Sequence, residues 1–548
     1  MISEIRRFLS KHHLDALLVG RTDSFLSEYY PPQSAQLKQA TGFCGSAGMA
    51  VITHNQTILF VDSRYTEQAK IESAFQVYEI PSQTTPSDWL SKHLPGQKIG
   101  YNSTQRSVLW VEYMVKKGIR LVPVSESDWE SLFPSRTDKI APTFEYDISF
   151  CGESSANKIK RLTGVLESHQ LDGYVLTVPD SVSWLLNQRS LSVPQYPVVF
   201  KRIIVLRDGT ILDLHEDRNR LQGLRLGLDP AETPQSLFEE IRSVAKIITL
   251  PDPVTEMKSV KNPTEQQNIR QACLFESKIL CRFLAWVEKN KATITEMDCD
   301  TKLQELRCES PLYRGDSFDT IAAVGEHAAR AHYRADTSSN VSVSSAPMLL
   351  VDTGGNYLNG TTDMTRTICV GTPSPLMIKR YTQVLKGHIA LATTPVHKGD
   401  LPLELDNRAR SALQADGADY GHATGHGIGM YLAVHEAPPV IYKSANTPLQ
   451  AGMLFSNEPG FYDAQAGFGI RLENMIMTLS GPDNSLILEN LLWVPFDGRL
   501  IDFTMLTTDE KQWLKSYHQA IRDRIMPNLN AEDQSLLNPL LDFFTEIA

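Results

Sequence analysis

Side chains that could bind metal ions are concentrated between residues 352 and 473. Five of them fall in short motifs rich in glycine, threonine and proline: Asp352, Asp363, His426, Glu458 and Glu473. Carboxylates seldom lie buried in a protein unless they are paired with cations or bind a metal. These residue types therefore indicate metal chemistry if the fold brings them together.

The two aspartates frame the stretch DTGGNYLNGTTDMTRT, which runs from Asp352 to Thr367. The apolar run MLLV predicts a buried strand that ends at Asp352. TGGNYLNG is typical of a turn, and TDMTRTICVG predicts a second strand carrying Asp363. Neighbouring strands would bring both carboxylates to one place. The competing interpretation, in which both aspartates decorate a hairpin loop, has equal weight from this stretch alone.

Three histidines follow in YGHATGHGIGMYLAVHEAPP: His422, His426 and His435. The glycines would let the backbone approach a ligand closely. The stretch does not match the phosphate-binding motif GxxxxGK[ST], and APP after Glu436 excludes the zinc-protease motif HExxH. A single histidine is best interpreted as structural, but three in so short a stretch favour a site.

Glu458 precedes a Pro-Gly turn in SNEPGFYD, and Arg471 and Glu473 follow in FGIRLENMIM. Alternate residues of a strand share a face, so Arg471 and Glu473 would point together. A surface ion pair is the competing interpretation. It suits Arg471 better than Glu473, because the apolar run after Glu473 predicts a buried strand.

Four carboxylates and one imidazole carry more negative charge than one divalent ion needs, so about two cations are expected. Oxygen-rich ligand sets suit hard ions such as Mn²⁺, while zinc more often takes histidine and cysteine. Two metals about 3.5–4 Å apart can activate a water and polarise a carbonyl.

The whole chain sets limits on the class of protein. Its 548 residues predict two to four domains, and its net charge of −11 argues against a nucleic-acid or anionic-membrane surface. Seven scattered cysteines without a CxxC pair are typical of reduced cytosolic thiols. The first twenty residues predict a helix running into a strand rather than a signal peptide, and no apolar run is long enough to span a membrane. We expect a soluble cytoplasmic protein.

An internal echo indicates two related α/β domains ahead of the candidate site. LDALLVGRTDSFL begins at Leu14, and LDGYVLTVPDSVSWL begins at Leu171. Their alignment pairs, without a gap, Asp15 with Asp172, Asp23 with Asp180 and Ser24 with Ser181. Each copy follows a helical pattern and precedes two strand-like runs. A chance match is the alternative for so short an echo.

Changes in composition predict the domain boundaries. The segments PTFEYDISF and LPDPVTEMKSVKNPTEQQ separate three domains, at residues 1–145, 146–258 and 259–548. Alternating strand-like and helical runs predict a mixed α+β third domain. Its tail, from about residue 491, is expected to be helical, since threonine and aspartate before a glutamate in TTDEKQW are typical of a helix start.

The motif order DTGGNY…TTDMTRT, TGHGIG…VHEAPP, NEPGFY and GIRLEN resembles the metallopeptidases of the pita-bread fold (family M24). Within them it resembles the aminopeptidase P family, whose members are Xaa-Pro aminopeptidases. SEYYPP, TGFCGSAGMAVIT, MKSVKNPTEQ and LLWVPFDGRLID extend the resemblance to the long, three-domain form and to nearly the whole chain. It implies two creatinase-like α/β domains, then a pita-bread catalytic domain of two quasi-symmetric halves on a curved sheet.

The resemblance also implies metal-binding roles. Asp352 and Asp363 are expected to be ligands, with Asp363 bridging. His426 and Glu458 would bind one metal, and Glu473 would bridge both. Glu458 also matches the usual proton shuttle.

Further residues match the family's substrate site. His435 matches the histidine that steadies the tetrahedral intermediate, while His332 and His422 match substrate-pocket histidines. Arg471 matches an arginine beside the bridging glutamate, and Tyr462 matches a nearby tyrosine. One residue departs from the pattern. His327 in GEHAARAHY replaces a common asparagine, and no role is expected for it.

The implied activity is removal of the first residue from peptides with proline in second place, by attack of a bridging hydroxide on the scissile carbonyl. Two divalent ions are expected, Mn²⁺ first, with Zn²⁺ and Co²⁺ as alternatives. A homodimer is expected, with neither nucleic acid nor membrane as a partner. Prolidase and methionine aminopeptidase are the enzymatic alternatives, and the duplicated N-terminal domains argue against both. A non-catalytic peptide-binding module is the third, and the complete ligand set argues against it.

Overall fold

The computed structural model describes residues 1–30, 35–134 and 141–545. They form two compact units. The first comprises Met1–Ile148 and Glu153–Met257, and the second comprises Ser149–Gly152 and Lys258–Ala548. Within the described ranges, no helix combines the length and apolar character that crossing a membrane requires.

Helices and strands alternate through the first half of the chain. The helices are α1 (Ile2–His12), α2 (Gln36–Thr41), α3 (Thr66–Glu72), α4 (Pro86–His93), α5 (Val108–Lys116), α6 (Glu126–Leu132), α7 (Ile148–Cys151), α8 (Ser155–Ser168), α9 (Pro179–Leu186), α10 (Gln235–Arg242) and α11 (Pro253–Ser259). The strands are β1 (Ala16–Gly20), β2 (Met49–Thr53), β3 (Thr57–Asp62), β4 (Gln76–Ile80), β5 (Lys98–Tyr101), β6 (Arg120–Pro123), β7 (Phe144–Glu145), β8 (Gly173–Leu176), β9 (Gln188–Arg189), β10 (Ile203–Leu206), β11 (Ile211–Asp213), β12 (Arg225–Leu228) and β13 (Lys246–Thr249).

The first unit contains two sheets of related topology, and the first has one additional edge strand, β4. One sheet has the order β4-β3-β2-β1-β5-β6, and the other has the order β11-β10-β8-β12-β13. In each sheet, one central strand (β1 or β8) pairs antiparallel with the first strand of a hairpin (β2 or β10). On its other side it pairs parallel with a later strand (β5 or β12). The apolar runs of the echo are these two central strands, which are buried. The prediction of two related α/β domains is confirmed.

The second unit mixes longer helices with antiparallel strands. The helices are α12 (Pro263–Asn290), α13 (Glu296–Arg307), α14 (Pro375–Thr393), α15 (Leu403–Gln414), α16 (Thr508–Arg524) and α17 (Ala531–Asp542). The strands are β14 (Tyr313–Asp316), β15 (Ile321–Val324), β16 (Met348–Thr353), β17 (Gly355–Tyr357), β18 (Gly360–Thr361), β19 (Met364–Cys369), β20 (Val396–His397), β21 (Gly425–Gly427), β22 (Glu436–Ile441), β23 (Leu454–Asn457), β24 (Gly460–Asp463), β25 (Phe468–Arg471), β26 (Asn474–Ser480) and β27 (Ser485–Asn490).

The candidate ligands lie on, or directly next to, strands of two of its sheets, which have the orders β15-β16-β19 and β20-β27-β26-β23-β21-β22. A large apolar core includes buried residues of α12, α14 and the tail helices. Local signals fix where these helices begin. Asn262 and Glu265 form a capping box at the start of α12, with Pro263 as its first residue. The predicted tail helix is α16, capped by Thr507 and Glu510. The α/β class with a helical tail is confirmed.

Two local predictions need correction. The turn predicted over TGGNYLNG is confined to Leu358 and Asn359, and it joins β17 to β18, which pair with each other. FGIRLENMIM is not one strand, because β25 pairs with β24 while β26 pairs with β23. The chain changes sheets at Leu472 and Glu473, so Glu473 leaves the strand geometry that alternation assumes.

Candidate active site

The two aspartates lie at the same end of paired strands. Asp352 on β16 is directly opposite Thr365 on β19, and Asp363 immediately precedes β19. Both are buried. The interpretation that they decorate a loop is therefore wrong, and the strand pairing predicted from MLLV and TRTICV is present.

His426 lies on β21, between two glycines that the packing requires. A Cβ atom at Gly425 would lie 1.8 Å from the carbonyl oxygen of Ser456, and one at Gly427 would lie 2.4 Å from that of Glu436. The glycine-rich motif thus lets β21 fit closely between its neighbours. Nδ1 of His426 lies 2.9 Å from the carbonyl oxygen of Gly427. This contact holds the ring with Nε2 toward the acidic residues.

Asp363, His426, Glu458 and Glu473 converge. Nε2 of His426 lies 3.3 Å from Oδ2 of Asp363 and 3.4 Å from Oε1 of Glu458. One ligand atom each from Asp363, His426 and Glu473 lie within 4.8 Å of one another. Thr365 Oγ1 donates to Glu473 Oε2 at 2.8 Å and so fixes that carboxylate.

The cluster holds more negative charge than its surroundings neutralise. Burial raises the pKa of Asp352, Glu458 and Glu473, and neighbouring carboxylates raise each of them further. Burial opposes protonation of His426. The hydrogen bond to Asp363 and the charges of Glu458 and Asp363 outweigh that effect and raise the pKa of His426 to about 9. A bound cation would relieve this repulsion.

The donor set fits divalent metal ions. Oδ1 of Asp352 is buried and has no hydrogen-bond partner among the described residues. A buried polar oxygen without a partner is costly, and coordination would satisfy it. The four carboxylates of the cluster, including that of Asp352, and the one imidazole are a hard, oxygen-rich set, which suits ions such as Mn²⁺.

Arg471 organises one side of the site. It is buried and donates to Asp352 Oδ2 at 2.5 Å, to Tyr462 Oη at 2.6 Å and to the carbonyl oxygen of Ala331 at 3.2 Å. The alternative of a surface ion pair between Arg471 and Glu473 is therefore wrong. The arginine instead orients Asp352 and leaves Oδ1 for a ligand.

The other predicted histidines surround the same centre. Nε2 of His422 lies 2.9 Å from Tyr462 Oη, and its Nδ1 lies 4.0 Å from Glu458 Oε2. The rings of His435 and His426 meet edge to face, with centroids 4.4 Å apart. His332 is half-buried and directly follows Ala331, whose carbonyl contacts Arg471.

Sequence reasoning missed three residues that support the ligands. Thr365 holds Glu473, and Ser456 Oγ donates to Glu458 Oε1 at 3.2 Å. Arg366 donates to the carbonyl oxygen of Glu473 at 2.6 Å and to Tyr517 Oη of α16 at 2.9 Å. All three lie close in sequence to a ligand, within the ligand motifs themselves. The threonine, serine and arginine residues within those motifs were the signal in the sequence that could have identified these supporting side chains.

Comparison with known families matches almost the whole chain. Residues 267–479 match metallopeptidase family M24, and residues 484–538 match the C-terminal region of peptidase M24. Residues 1–129 and 134–228 each match the creatinase/prolidase N-terminal domain. The predicted fold of two creatinase-like domains before a pita-bread domain is confirmed.

Individual relatives are similar over the full length. A probable Xaa-Pro aminopeptidase P of Laccaria bicolor is 33% identical, over 98% of this chain and 91% of the relative. Aminopeptidase P1 of Arabidopsis thaliana is 30% identical, over 98% of both chains. The crystal structure of an X-prolyl aminopeptidase from Caenorhabditis elegans, described as a cytosolic enzyme with a di-nuclear active site, is 29% identical. It has a TM-score of 0.89 and covers 97% of this chain and 95% of that chain.

Proposed function

Since the chain belongs to metallopeptidase family M24, and its full-length relatives are Xaa-Pro aminopeptidases, we propose that it removes the first residue from peptides whose second residue is proline. The observation that supports this most is the buried acidic cluster. Four carboxylates face one imidazole and one guanidinium, and Oδ1 of Asp352 lacks a donor among the described residues. Such a set suits two divalent ions.

We assign Asp352, Asp363, His426, Glu458 and Glu473 as the ligands of both ions. When bound, the metals supply an activated water and polarise the scissile carbonyl. We also assign to Glu458, whose Oε1 lies 3.4 Å from Nε2 of His426, the role of accepting a proton and delivering it to the leaving nitrogen.

Substrate contacts come from the histidines around the ligands. His435, whose ring meets that of His426, donates a hydrogen bond to the developing oxyanion. His332 and His422 line the substrate pocket, and Tyr462 joins His422 to Arg471. Arg471 keeps Asp352 oriented.

Proline in second place has a physical explanation. The Xaa-Pro bond is a tertiary amide without an N–H, and its ring fixes the backbone φ angle. A pocket shaped for the ring, with no acceptor aimed at the missing hydrogen, favours proline over other residues. Prolidase activity would need the same bond but a free carboxylate directly after it.

Three peptides distinguish these activities. The metal-stripped protein is reloaded separately with Mn²⁺, Zn²⁺ or Co²⁺ and incubated with Arg-Pro-Pro, Ala-Pro and Ala-Ala-Pro. Release of arginine from Arg-Pro-Pro, with little cleavage of the others, is the expected result in mass spectrometry. Preferential cleavage of Ala-Pro would replace the proposal by prolidase, and cleavage of none of the peptides by loaded protein would contradict it.

We further propose Mn²⁺ as the preferred ion, because the ligand set is rich in carboxylates. Domain boundaries at 1–145, 146–258 and 259–548, with the tail from about 491, are proposed from the sequence. A cytoplasmic location is supported by the description of the C. elegans relative. A homodimer rests on the family resemblance, and light scattering of the purified protein would test it.

A further inference from the structure

Glu296 is a buried carboxylate that the proposed reaction does not use. It is the first residue of α13 and is fully buried. Its oxygens accept from the backbone N–H of Val324 at 2.8 Å and of Val341 at 3.3 Å. They also contact Nδ1 of His327 at 2.8 Å and Oη of Tyr333 at 3.0 Å. One carboxylate therefore ties together several segments that are distant in sequence.

Two of these partners stand at the ends of one short loop, residues 327–333. His327 lies in a 3₁₀ helix, Gly325–Ala329, and Tyr333 ends the loop. Their rings stack, with centroids 4.2 Å apart and an interplanar angle of 22°. Because both ends bind the same carboxylate, Glu296 closes the loop. His332 lies inside it, next to Tyr333.

The opposite side of the loop meets the candidate active site. A Cβ atom at Gly469 on β25 would lie 1.8 Å from the carbonyl oxygen of Ala328, so the loop packs directly on this strand. The carbonyl oxygen of Ala331 accepts from Arg471, at the end of β25. Arg471 also donates to Asp352. The loop is thus connected to Glu296 on one side and to a candidate metal ligand on the other.

We propose that Glu296 and His327 are positioning residues, whose hydrogen bond holds the 327–333 loop so that His332 is correctly placed for substrate. This inference rests on the proposed function, because it assigns His332 to the substrate pocket. It gives a role to His327, for which the sequence predicts none. Because the carboxylate of Glu296 accepts, Nδ1 of His327 donates this hydrogen bond, and the inference makes the donor rather than the ring the required feature.

Two substitutions separate the donor from the ring. His327→Asn keeps an N–H donor and loses most of the stacking on Tyr333, whereas His327→Phe keeps the stacking and loses the donor. With Arg-Pro-Pro as substrate, we expect His327→Phe to raise KM about tenfold with kcat changed less than about threefold. His327→Asn is expected to stay within about threefold of the wild type in both.

Hydrogen exchange gives a readout that does not depend on activity. In His327→Phe, amides of residues 325–333 should exchange about tenfold faster or more, while those of β26 stay unchanged. Tyr333→Phe removes the donor at the other end of the loop and should accelerate the same amides, which provides a second test if His327→Phe does not fold.

The outcomes separate this inference from the proposed function. A wild type that cleaves no Xaa-Pro peptide would contradict the proposed function, yet the exchange comparison would still test the loop. Wild-type KM and exchange in His327→Phe and Tyr333→Phe would overturn the inference. So would a His327→Asn variant that is as impaired as His327→Phe, since that result assigns the effect to the ring.

Discussion

Two glutamates of the second unit, Glu473 and Glu436, are buried to nearly the same degree but lie in opposite electrostatic surroundings. Glu473 is 1% exposed and Glu436 is 3% exposed. Burial, with Asp363, Glu458 and Asp352 nearby, raises the pKa of Glu473 well above its usual value. Burial also disfavours ionised Glu436, but Lys258 and Lys261 outweigh it and lower the pKa of that carboxyl group.

The two surroundings assign different roles to the same residue type. Glu436 contacts Lys258 at 2.8 Å and also binds the buried Lys261, so its charge is neutralised within the protein. It directly follows His435 and pairs with Gly427, so this ion-pair cluster supports the strands that carry the site. Glu473 lacks such neutralisation, because its neighbours are mainly acids. A buried carboxylate whose charge the protein leaves unbalanced is the better candidate for a metal ligand.

The largest expected effect is the loss of activity when a carboxylate of the buried acidic cluster is replaced. Asp363→Asn should lower kcat/KM for Arg-Pro-Pro by about 10³-fold or more, equivalent to about 4 kcal/mol in the activation barrier. The substitution removes a charge that contacts His426 and should reduce the number of bound metals. Steady-state kinetics and metal analysis measure both. The matched control, Asp416→Asn, removes a surface aspartate paired with Lys379 and should retain activity.

Substitution in the ion-pair cluster of Glu436, Lys258 and Lys261 should lower the stability of the protein. Glu436→Gln removes the negative charge that faces two buried lysines, and breaking a buried ion pair from one side costs about 3–5 kcal/mol in the free energy of unfolding. Denaturant titration at constant metal content measures the loss. Glu489→Gln breaks a partly exposed pair with Arg270 and should cost less than about 1 kcal/mol. Equal losses in the two variants would contradict the importance of burial.

His518 is a buried titratable group of a third kind, because its surroundings favour the neutral form. Its Nδ1 contacts the carbonyl oxygen of Leu514 at 2.7 Å, and its Nε2 accepts from the N–H of Phe496. Burial lowers the pKa of His518 to about 3. The unfolded chain takes up the proton first, so stability falls as pH drops below about 6.5.

The loss due to His518 should reach about 2 kcal/mol between pH 7 and pH 5. Denaturant titrations of the wild type and of His518→Gln at both pH values isolate this contribution, because the variant cannot titrate there. The variant should lose less stability on acidification than the wild type. If the free energy of unfolding depended on pH identically in both proteins, folding would not lower the pKa of His518.

The smallest expected effect has the opposite sign to that of Glu436→Gln. In metal-free protein, Glu473→Gln removes one of several mutually repelling carboxylates and should raise the free energy of unfolding by about 1 kcal/mol. The amide oxygen of the substituted side chain can still accept from Thr365. Thermal and denaturant unfolding of stripped samples would check the sign. Destabilisation of the same size as in Glu436→Gln would remove the distinction between the two glutamates.

Sequence patterns predicted the parts of the fold that depend on local chemistry. The echo at Leu14 and Leu171 predicted the repeated sheet, and the threonine before Glu510 predicted the start of α16. The ligand motifs could be found because a carboxylate in a strand rich in glycine and threonine is seldom buried unless a cation or a metal neutralises its charge. The roles of the ligands are still predictions.

What the sequence could not predict depends on contacts between distant segments. Strand alternation placed Arg471 beside Glu473, but the change of sheet at Leu472 turns the arginine toward Asp352. Nothing local to Glu296 indicates that its carboxylate closes the loop at His327, because the partners are about 30 residues away in sequence. Such long-range pairings appear only once the strands are in place.

We infer that the buried carboxylates Asp352, Asp363, Glu458 and Glu473 hold two divalent ions on which Xaa-Pro cleavage depends. The most direct test titrates Mn²⁺ into stripped protein while bound metal and hydrolysis of Arg-Pro-Pro are measured in the same samples. We expect activity to rise with metal loading and to be complete at about two ions per chain. Full activity in the stripped protein would contradict this inference. Unchanged Mn²⁺ binding in Asp363→Asn would also contradict it, because the ions would then bind at another site.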